Sequence, residues 1–258
     1  MKKYLLTLLI AASILIVSLN AQASTIALLP MDGANGSTTF SDIIGNTWTG
    51  FGNARISTAQ STSGGASAYF DGSGDYVQAD NAGLFNFGTS PFTIDLWIYP
   101  LSVDTGSNAY LAGRSHPDGG QGYDIRLQNE ILIVGVNGWD FNIGTPSVND
   151  INYLTASAWH NVILTSSASN AYLYVDGDLK GTSPRSNISN GINPFRIAYQ
   201  SNYGGTAYYG YIDEFKITDE LWTPTPVSNG VVPEPATLSL LSLGLLGLAF
   251  NKKRRNAA

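Results

Sequence analysis

The sequence contains no cysteine and has few basic and few histidine side chains. Its 258 residues include 13 Lys and Arg and two His. The absence of cysteine excludes disulfides and thiolate chemistry, so an exported domain must rely on its hydrophobic core. About 209 residues between the two chain ends can bury a core large enough for that.

The few basic residues are unevenly distributed, because six of them lie in the two terminal segments. Residues 24–232 hold eighteen acidic side chains against seven basic ones, which gives that region a net charge of −11. Phosphate contacts need cations, so this acidic region is predicted not to bind nucleic acid. Fifteen of the eighteen acids are Asp, and carboxylate oxygens are ligands that calcium prefers.

The first 23 residues have the layout of a secretory signal peptide. Lys2 and Lys3 precede a nearly unbroken apolar run, and Ala21 and Ala23 supply the small-x-small spacing that signal peptidase accepts. We therefore predict a signal peptide over residues 1–23, with cleavage after Ala23. The alternative is an uncleaved N-terminal membrane anchor.

The chain ends with an apolar segment followed by four consecutive basic residues. Residues 236–250 carry no charge, and as a helix they would be about 22 Å long, short of the roughly 30 Å hydrocarbon core. The basic residues 252–255 would remain on the cytoplasmic side. Pro233, Glu234 and Pro235 precede this segment, and they cannot form helix interior because proline lacks a backbone donor.

This triplet, short apolar segment and basic end closely resemble the PEP-CTERM sorting signal of Gram-negative bacteria. The resemblance covers the last 28 residues or so, with the signal itself over residues 233–258. It implies that an exosortase, a membrane transpeptidase, removes the tail near the triplet after transient anchoring in the inner membrane. The product would then reach the cell envelope or the extracellular matrix. A permanent anchor is the alternative.

The region between the two ends is predicted to be all-β. Short runs of alternating apolar and polar residues are separated by Gly, Asn, Asp and Ser. In Phe92 to Pro100 the even-numbered positions are predicted to face the core, and Trp97 and Tyr99 the other side. Hairpin turns are predicted at Asp176-Gly177 and Asn137-Gly138. Roughly a dozen such strands favour a sandwich of two antiparallel sheets, followed by a linker over residues 223–232.

Six segments in order resemble the laminin G-like (concanavalin A-like) jelly-roll family. They are ALLPMDG, SAYFDGSGDYV, FTIDLWIYP, AWHNVILT, LYVDGDLKG and GYIDEFKIT. The resemblance runs from about residue 26 to residue 222 and implies a single jelly-roll domain over residues 24–222. It also implies that His160, at the start of a core strand, has a structural role.

Catalysis is not predicted for this domain. A glycosidase on such a sandwich needs carboxylates that alternate along one strand and share a face. Asp213 and Glu214 are adjacent in the sequence, so they would point to opposite faces. No serine or aspartate constellation marks His116 or His160 as a base. A non-enzymatic protein is therefore expected.

A structural calcium ion is the cofactor that the sequence suggests. The family resemblance implies that the first and last strands run close together, which would bring Asp32 near Asp213. These carboxylates, with backbone carbonyls beside Gly33, would supply oxygen ligands. The alternative is that Asp32 is a turn residue and Asp213 accepts hydrogen bonds from local backbone donors.

Exposed aromatic side chains are the candidates for ligand binding. Trp139 follows the predicted Asn-Gly turn, and Tyr203 belongs to a tyrosine cluster, although aromatic residues in sandwiches also form core. We expect the domain to bind a glycan or an envelope protein and to act in adhesion to the exopolysaccharide matrix. A purely structural matrix component and a glycan-active enzyme with an unrecognised site remain open alternatives.

Overall fold

The computed structural model describes most of the central part of the chain. The described residues are 24–106, 108–114, 122–128, 131–136, 154–185, 187–188, 193–198 and 206–223. The predicted signal peptide, the turn at Asn137-Gly138 and the C-terminal segment with both its predicted helix and its sorting triplet lie outside them. In the described ranges no helix is long and apolar enough to cross a membrane.

Fifteen strands and one short 3-10 helix make up the described part of the chain. The helix covers Ala82–Phe85. The strands are β1 (Thr25–Leu29), β2 (Trp48–Phe51), β3 (Arg55–Ser57), β4 (Ser67–Asp71), β5 (Tyr76–Ala79), β6 (Phe92–Pro100), β7 (Ala109–Arg114), β8 (Tyr123–Gln128), β9 (Ile131–Val136), β10 (His160–Ser166), β11 (Asn170–Val175), β12 (Asp178–Pro184), β13 (Arg196–Ile197), β14 (Thr206–Ala207) and β15 (Tyr209–Thr218).

The strands form two sheets. The first sheet has eight strands in the order β12-β11-β10-β6-β15-β4-β3, and β1 also pairs with β15. The second sheet has the order β2-β5-β13-β7-β8-β9, with β14 beside β7 in the one parallel pairing among the described strands. The predicted all-β, two-sheet antiparallel sandwich is therefore confirmed.

The last strand, β15, lies in the interior of the first sheet. One edge pairs with β6 and the other pairs first with β4 and then with β1. The pairing register between β15 and β6 shifts between Asp213 and Lys216. Glu214, at this irregularity, has a φ of 48°. A bulge therefore separates the half of β15 next to β4 from the half next to β1.

The core lies between the two sheets and follows the predicted alternation. In β6, Phe92, Ile94, Leu96 and Ile98 are fully buried. From the second sheet, the core residues of β8 and β9 are apolar in the same alternating way. The predicted hairpin at Asp176-Gly177 is also confirmed, because β11 and β12 pair on either side of it.

One end of the core is filled by aromatic rings. The Trp48 ring packs edge-on against Phe85, Phe195 and Phe215, with ring centroids 5.8–6.1 Å apart. Its indole N–H donates to an Asp42 carboxylate oxygen at 3.0 Å. Trp48 is thus a buried core residue, and its indole N–H has the hydrogen-bond partner that a buried tryptophan usually finds.

Candidate ligand-binding face

The two residues predicted to bind calcium lie at the same loop. Asp213 is fully buried, and its carboxylate accepts hydrogen bonds from the backbone N–H of Thr62 at 2.7 Å and from the Thr62 hydroxyl at 2.8 Å. Further N–H groups come from Ser63 at 3.4 Å and Glu214 at 2.9 Å. Burial raises the pKa of Asp213, and these hydrogen bonds offset part of the increase.

Asp32 lies against the same loop, at Gly64. Its exposed carboxylate lies so close to Gly64 that a Cβ atom added there would overlap it, and Gly64 has a φ of +60°. The described ranges contain no group of three or more acidic or histidine side chains that could hold a metal ion. A calcium ion at Asp32 would therefore also need carbonyl or hydroxyl oxygens of the loop, and the calcium site remains a prediction.

The predicted ligand-binding residues Trp139 and Tyr203 lie outside the described residues. The same is true of Ala21 and Ala23 at the signal peptidase site and of Pro233, Glu234 and Pro235 in the sorting signal.

No catalytic role was predicted for either histidine. In the structure, His160 is held by hydrogen bonds to neighbouring residues. Its Nδ1 lies 2.8 Å from a carboxylate oxygen of Asp176 in the β11–β12 turn. Its Nε2 accepts a hydrogen bond from the backbone N–H of Thr155 at 3.1 Å. The ring therefore ties the start of β10 to that turn, and both nitrogens are used by the protein.

Aromatic side chains cover one end of the outer face of the first sheet. Because side chains alternate along strands, the residues next to fully buried Ile98 and Ile212 point outward. The register aligns four strands so that Arg55, Tyr69, Tyr211 and Tyr99 lie in one cross-strand row. Trp159, the residue before β10, extends it, and we call these five residues the aromatic row.

The side chains of the aromatic row contact each other in sequence. The Arg55 guanidinium lies 4.5 Å from the Tyr69 ring centroid. Ring centroids are 5.0 Å apart for Tyr69 and Tyr211, 5.9 Å for Tyr211 and Tyr99, and 5.4 Å for Tyr99 and Trp159. The last two pairs are T-shaped, a geometry that aromatic pairs favour. The contacts fix the rings, and each member of the row is partly exposed.

Neighbouring positions extend this surface on both sides of the row. Tyr209 is 43% exposed two residues before Tyr211, and half-buried Trp97 lies two residues before Tyr99. Burial raises the pKa of the Tyr69 hydroxyl, and Tyr209 and Tyr211 add to the increase. The row is therefore an aromatic surface of uncharged phenol hydroxyls with one positively charged guanidinium.

The opposite end of the same face is covered by the chain itself. The Trp222 backbone N–H donates to the hydroxyls of Thr93 at 2.9 Å and Thr165 at 2.7 Å, and its ring packs on Tyr174 at 4.9 Å. A cavity of about 60 Å³ beside Trp222 is lined by Thr93, Asp95 and Lys216, among others. Thr93 was predicted to lie on the outward side and does so, but this covering segment buries it.

Two findings from known proteins agree with the sequence resemblance. A family model for the concanavalin A-like lectin/glucanases superfamily matches residues 71–228, and a model for the PEP-CTERM protein-sorting motif matches residues 231–255. Among curated proteins, none matches the chain.

Solved structures with the same fold are distant in sequence. The binding domain of Paraclostridial Mosquitocidal Protein 1 aligns with a TM-score of 0.58 and 17% identity, over 78% of this chain and 50% of that one. The receptor binding domain of botulinum neurotoxin D gives 0.55 and 14%, with the same coverage. The chain thus spans about half the length of these toxin domains.

A third structure matches over nearly its whole length. Domain 4 of AbnA, a GH43 extracellular arabinanase from Geobacillus stearothermophilus in complex with arabinotriose, aligns with a TM-score of 0.54 and 18% identity. The alignment covers 78% of this chain and 95% of that domain. At such low identity, all three likenesses show the fold alone.

Proposed function

Because the chain belongs to the concanavalin A-like lectin/glucanases superfamily, we propose that its sandwich is a non-catalytic domain that binds glycan in the cell envelope or extracellular matrix. The PEP-CTERM motif indicates an exported protein that is transiently anchored in the membrane. Signal peptidase and an exosortase process it in this proposal, and adhesion to exopolysaccharide is its role. The aromatic row is the observation that supports this function.

The chemistry of the row suits a sugar chain. The apolar C–H faces of a pyranose pack on aromatic rings, and its hydroxyls need the donors and acceptors that Tyr hydroxyls and Arg55 supply. With strands about 4.8 Å apart, a row across four strands and the residue before a fifth offers successive contacts to successive sugar units. The exposed aliphatic side chains, such as Ile43 and Leu179, are not in the row.

Glycan-array binding with the full-length protein in detergent tests this function. We expect Tyr211→Ala to weaken the tightest glycan interaction at least about tenfold, which corresponds to about 1.4 kcal/mol. Phe51→Ala is the matched control, because Phe51 is a partly exposed ring that stacks on Tyr76 in the second sheet, with centroids 4.5 Å apart. Equal loss in both variants, or binding unchanged by Tyr211→Ala, would contradict the assignment to the row.

We further propose that a structural calcium ion binds at the loop of residues 62–64 with Asp32 as a ligand. The oxygen atoms at this loop are of the kind that calcium prefers as ligands. Because the Asp213 carboxylate already accepts four hydrogen bonds, Asp32 is the better-placed carboxylate. We expect a chelator to lower the Tm of the protein, and Asp32→Asn to abolish that effect. Asp178→Asn is the control, because the Asp178 side chain is 79% exposed. The proposal is wrong if chelation leaves the Tm unchanged.

A further inference from the structure

The first and last strands of the sandwich meet at their outer ends. β1 begins at Thr25, which is paired with Thr218, the last residue of β15. One residue further along, the Asp219 backbone N–H donates to the Ser24 carbonyl oxygen at 3.2 Å. The Ser24 backbone N–H donates in turn to the Asp219 carboxylate oxygen Oδ1 at 2.8 Å. Two reciprocal hydrogen bonds therefore tie Ser24 to the residue that follows β15.

Ser24 is also the residue that the predicted signal peptidase cut would leave at the start of the chain. In that reaction water adds across the peptide bond between Ala23 and Ser24. Ala23 is left with a carboxylate and Ser24 with an amino group. An α-amino group has an ordinary pKa of about 7.7–8.0, so it is protonated and positively charged at neutral pH. The donor that contacts Asp219 thereby changes from a neutral amide to an ammonium group.

This change of charge should strengthen a contact that already exists. A hydrogen bond gains strength when its partners are ionised, and here the carboxylate acquires a cationic donor. Exposed ion pairs usually contribute little, because two long side chains must be ordered to form them. In the uncut chain, however, the Ser24 nitrogen already lies 2.8 Å from the Asp219 carboxylate. It is a main-chain atom positioned by the strand pairing at Thr25, so less freedom is lost.

The Asp219 end of this contact is the start of the segment that covers part of the first sheet. Residues 219–222, which we call the covering segment, follow β15 directly. The Thr93 hydroxyl donates to the Glu220 carbonyl oxygen at 2.7 Å and lies 2.9 Å from the backbone N–H of Trp222. A cavity of about 60 Å³ is lined by Glu220 and Trp222, among others, so the segment does not pack continuously on the sheet. Its attachment therefore depends on a few polar contacts, including the one to Ser24.

We propose that removal of the signal peptide between Ala23 and Ser24 completes a latch, in which the new α-ammonium group of Ser24 pairs with the Asp219 carboxylate and holds the covering segment on the first sheet. The processed protein is then more firmly closed at this point than its precursor. A cut one residue earlier would leave Ser24 with a neutral amide and no latch. The proposal rests on the predicted cleavage position and is independent of the function proposed for the aromatic row.

The latch depends on pH in a defined direction. The Asp219 carboxylate stabilises the charged form of the Ser24 amino group and so raises its pKa. The added stability is therefore present in full below about pH 7.7 and is lost as pH rises through the raised pKa. In the turn beside β1, in β6, in the half of β15 next to β1 and in the covering segment, the other charged side chains are Asp42, Asp95, Lys216 and Glu220. Carboxyl and ε-amino groups ordinarily titrate outside the range from pH 7 to pH 9.

The test compares the N-terminally processed protein, purified in detergent, with the same protein acetylated on the Ser24 amino group. The acetyl group restores a neutral amide, as in the precursor. NMR titration of the free amino group should give a pKa about 0.5 unit above the ordinary value, and Asp219→Asn should remove this increase. At pH 6.5 the Trp222 amide hydrogen should exchange on the order of threefold more slowly in the free form than in the acetylated form.

Controls separate the latch from general effects on the fold. Asp178→Asn removes a carboxylate whose side chain is 79% exposed, and it should keep the raised pKa of the Ser24 amino group. The Tm of each form shows that it is folded. The proposal is overturned if N-terminal sequencing finds a first residue other than Ser24, or if the amino group titrates alike with and without Asp219. It is also overturned if acetylation leaves the exchange of the Trp222 amide unchanged.

Discussion

The outward-pointing side chains of the two sheets differ in how they affect stability. On the first sheet, the aromatic row is a surface of large side chains that stabilise one another by contact. On the second sheet, the Asp124 side chain lies over Gly113 and Gly135, and its carboxyl group is buried at a cost to stability. An outward-pointing side chain can therefore stabilise the fold or destabilise it, and stability measurements can tell the two cases apart.

The largest expected effect is a gain in stability on the second sheet. A carboxyl group with a raised pKa in the folded state favours folding when protonated, so stability falls as pH rises from about 3.8 to about 6. Asp124→Asn removes this dependence and should raise the free energy of unfolding at pH 7.5 by on the order of 2–3 kcal/mol. Urea denaturation of the unmodified protein and of Asp124→Asn at pH 7.5 and pH 4 measures this change in the free energy of unfolding. Similar shifts at both pH values would contradict the buried carboxyl.

Adding a side chain at Gly135, beside Asp124, should have a somewhat smaller effect of opposite sign. The Cβ atom of Gly135→Ala would lie 2.8 Å from Asp124 Oδ2, and such overpacking costs about 1–3 kcal/mol. Adding Asp124→Ala removes the clashing oxygen, so the double variant should be more stable than the sum of the single changes implies. Additive changes in the free energy of unfolding would show that the two residues are not in contact.

Truncation in the aromatic row is expected to destabilise the first sheet. Tyr211→Ala removes ring contacts with Tyr69 and Tyr99, each worth about 0.5–1.5 kcal/mol beyond its buried area. Tyr209→Ala on the same strand is the control, because its more exposed ring should cost less. If the two variants have equal Tm values, the row does not stabilise the first sheet.

The local alternation of apolar and polar residues was sufficient to predict the strands, but not which strands pair with one another. The alternation in β6 placed Trp97 and Tyr99 outward, and the Asp176-Gly177 turn identified the β11–β12 hairpin. The aromatic row depends on β15 lying between β6 and β4, although Tyr69 and Tyr211 are far apart in the sequence. Nothing in the residues around either tyrosine specifies that register.

The burial of Asp124 was missed for a related reason. In the sequence YDIRLQ, alternation places Asp124 on the outward side, which ordinarily means a solvated carboxylate. Its side chain instead lies over Gly113 and Gly135, which are on the two flanking strands. The bulge at Glu214 was likewise not predicted, because a register shift depends on the partner strand. These features can be predicted only when the pairing of the strands is known. Turn residues in the sequence reveal that pairing for hairpins alone.

The interior position of β15 also has a consequence for how the protein reaches its folded state. This strand is the last of the fifteen described along the chain, yet it joins β6 to β4 and β1 within the first sheet. Synthesis proceeds from the N-terminus, so the first sheet remains split into unjoined parts until residues 209–218 emerge. Such distant pairings form slowly. Folding of the first sheet is therefore completed only after β15 arrives.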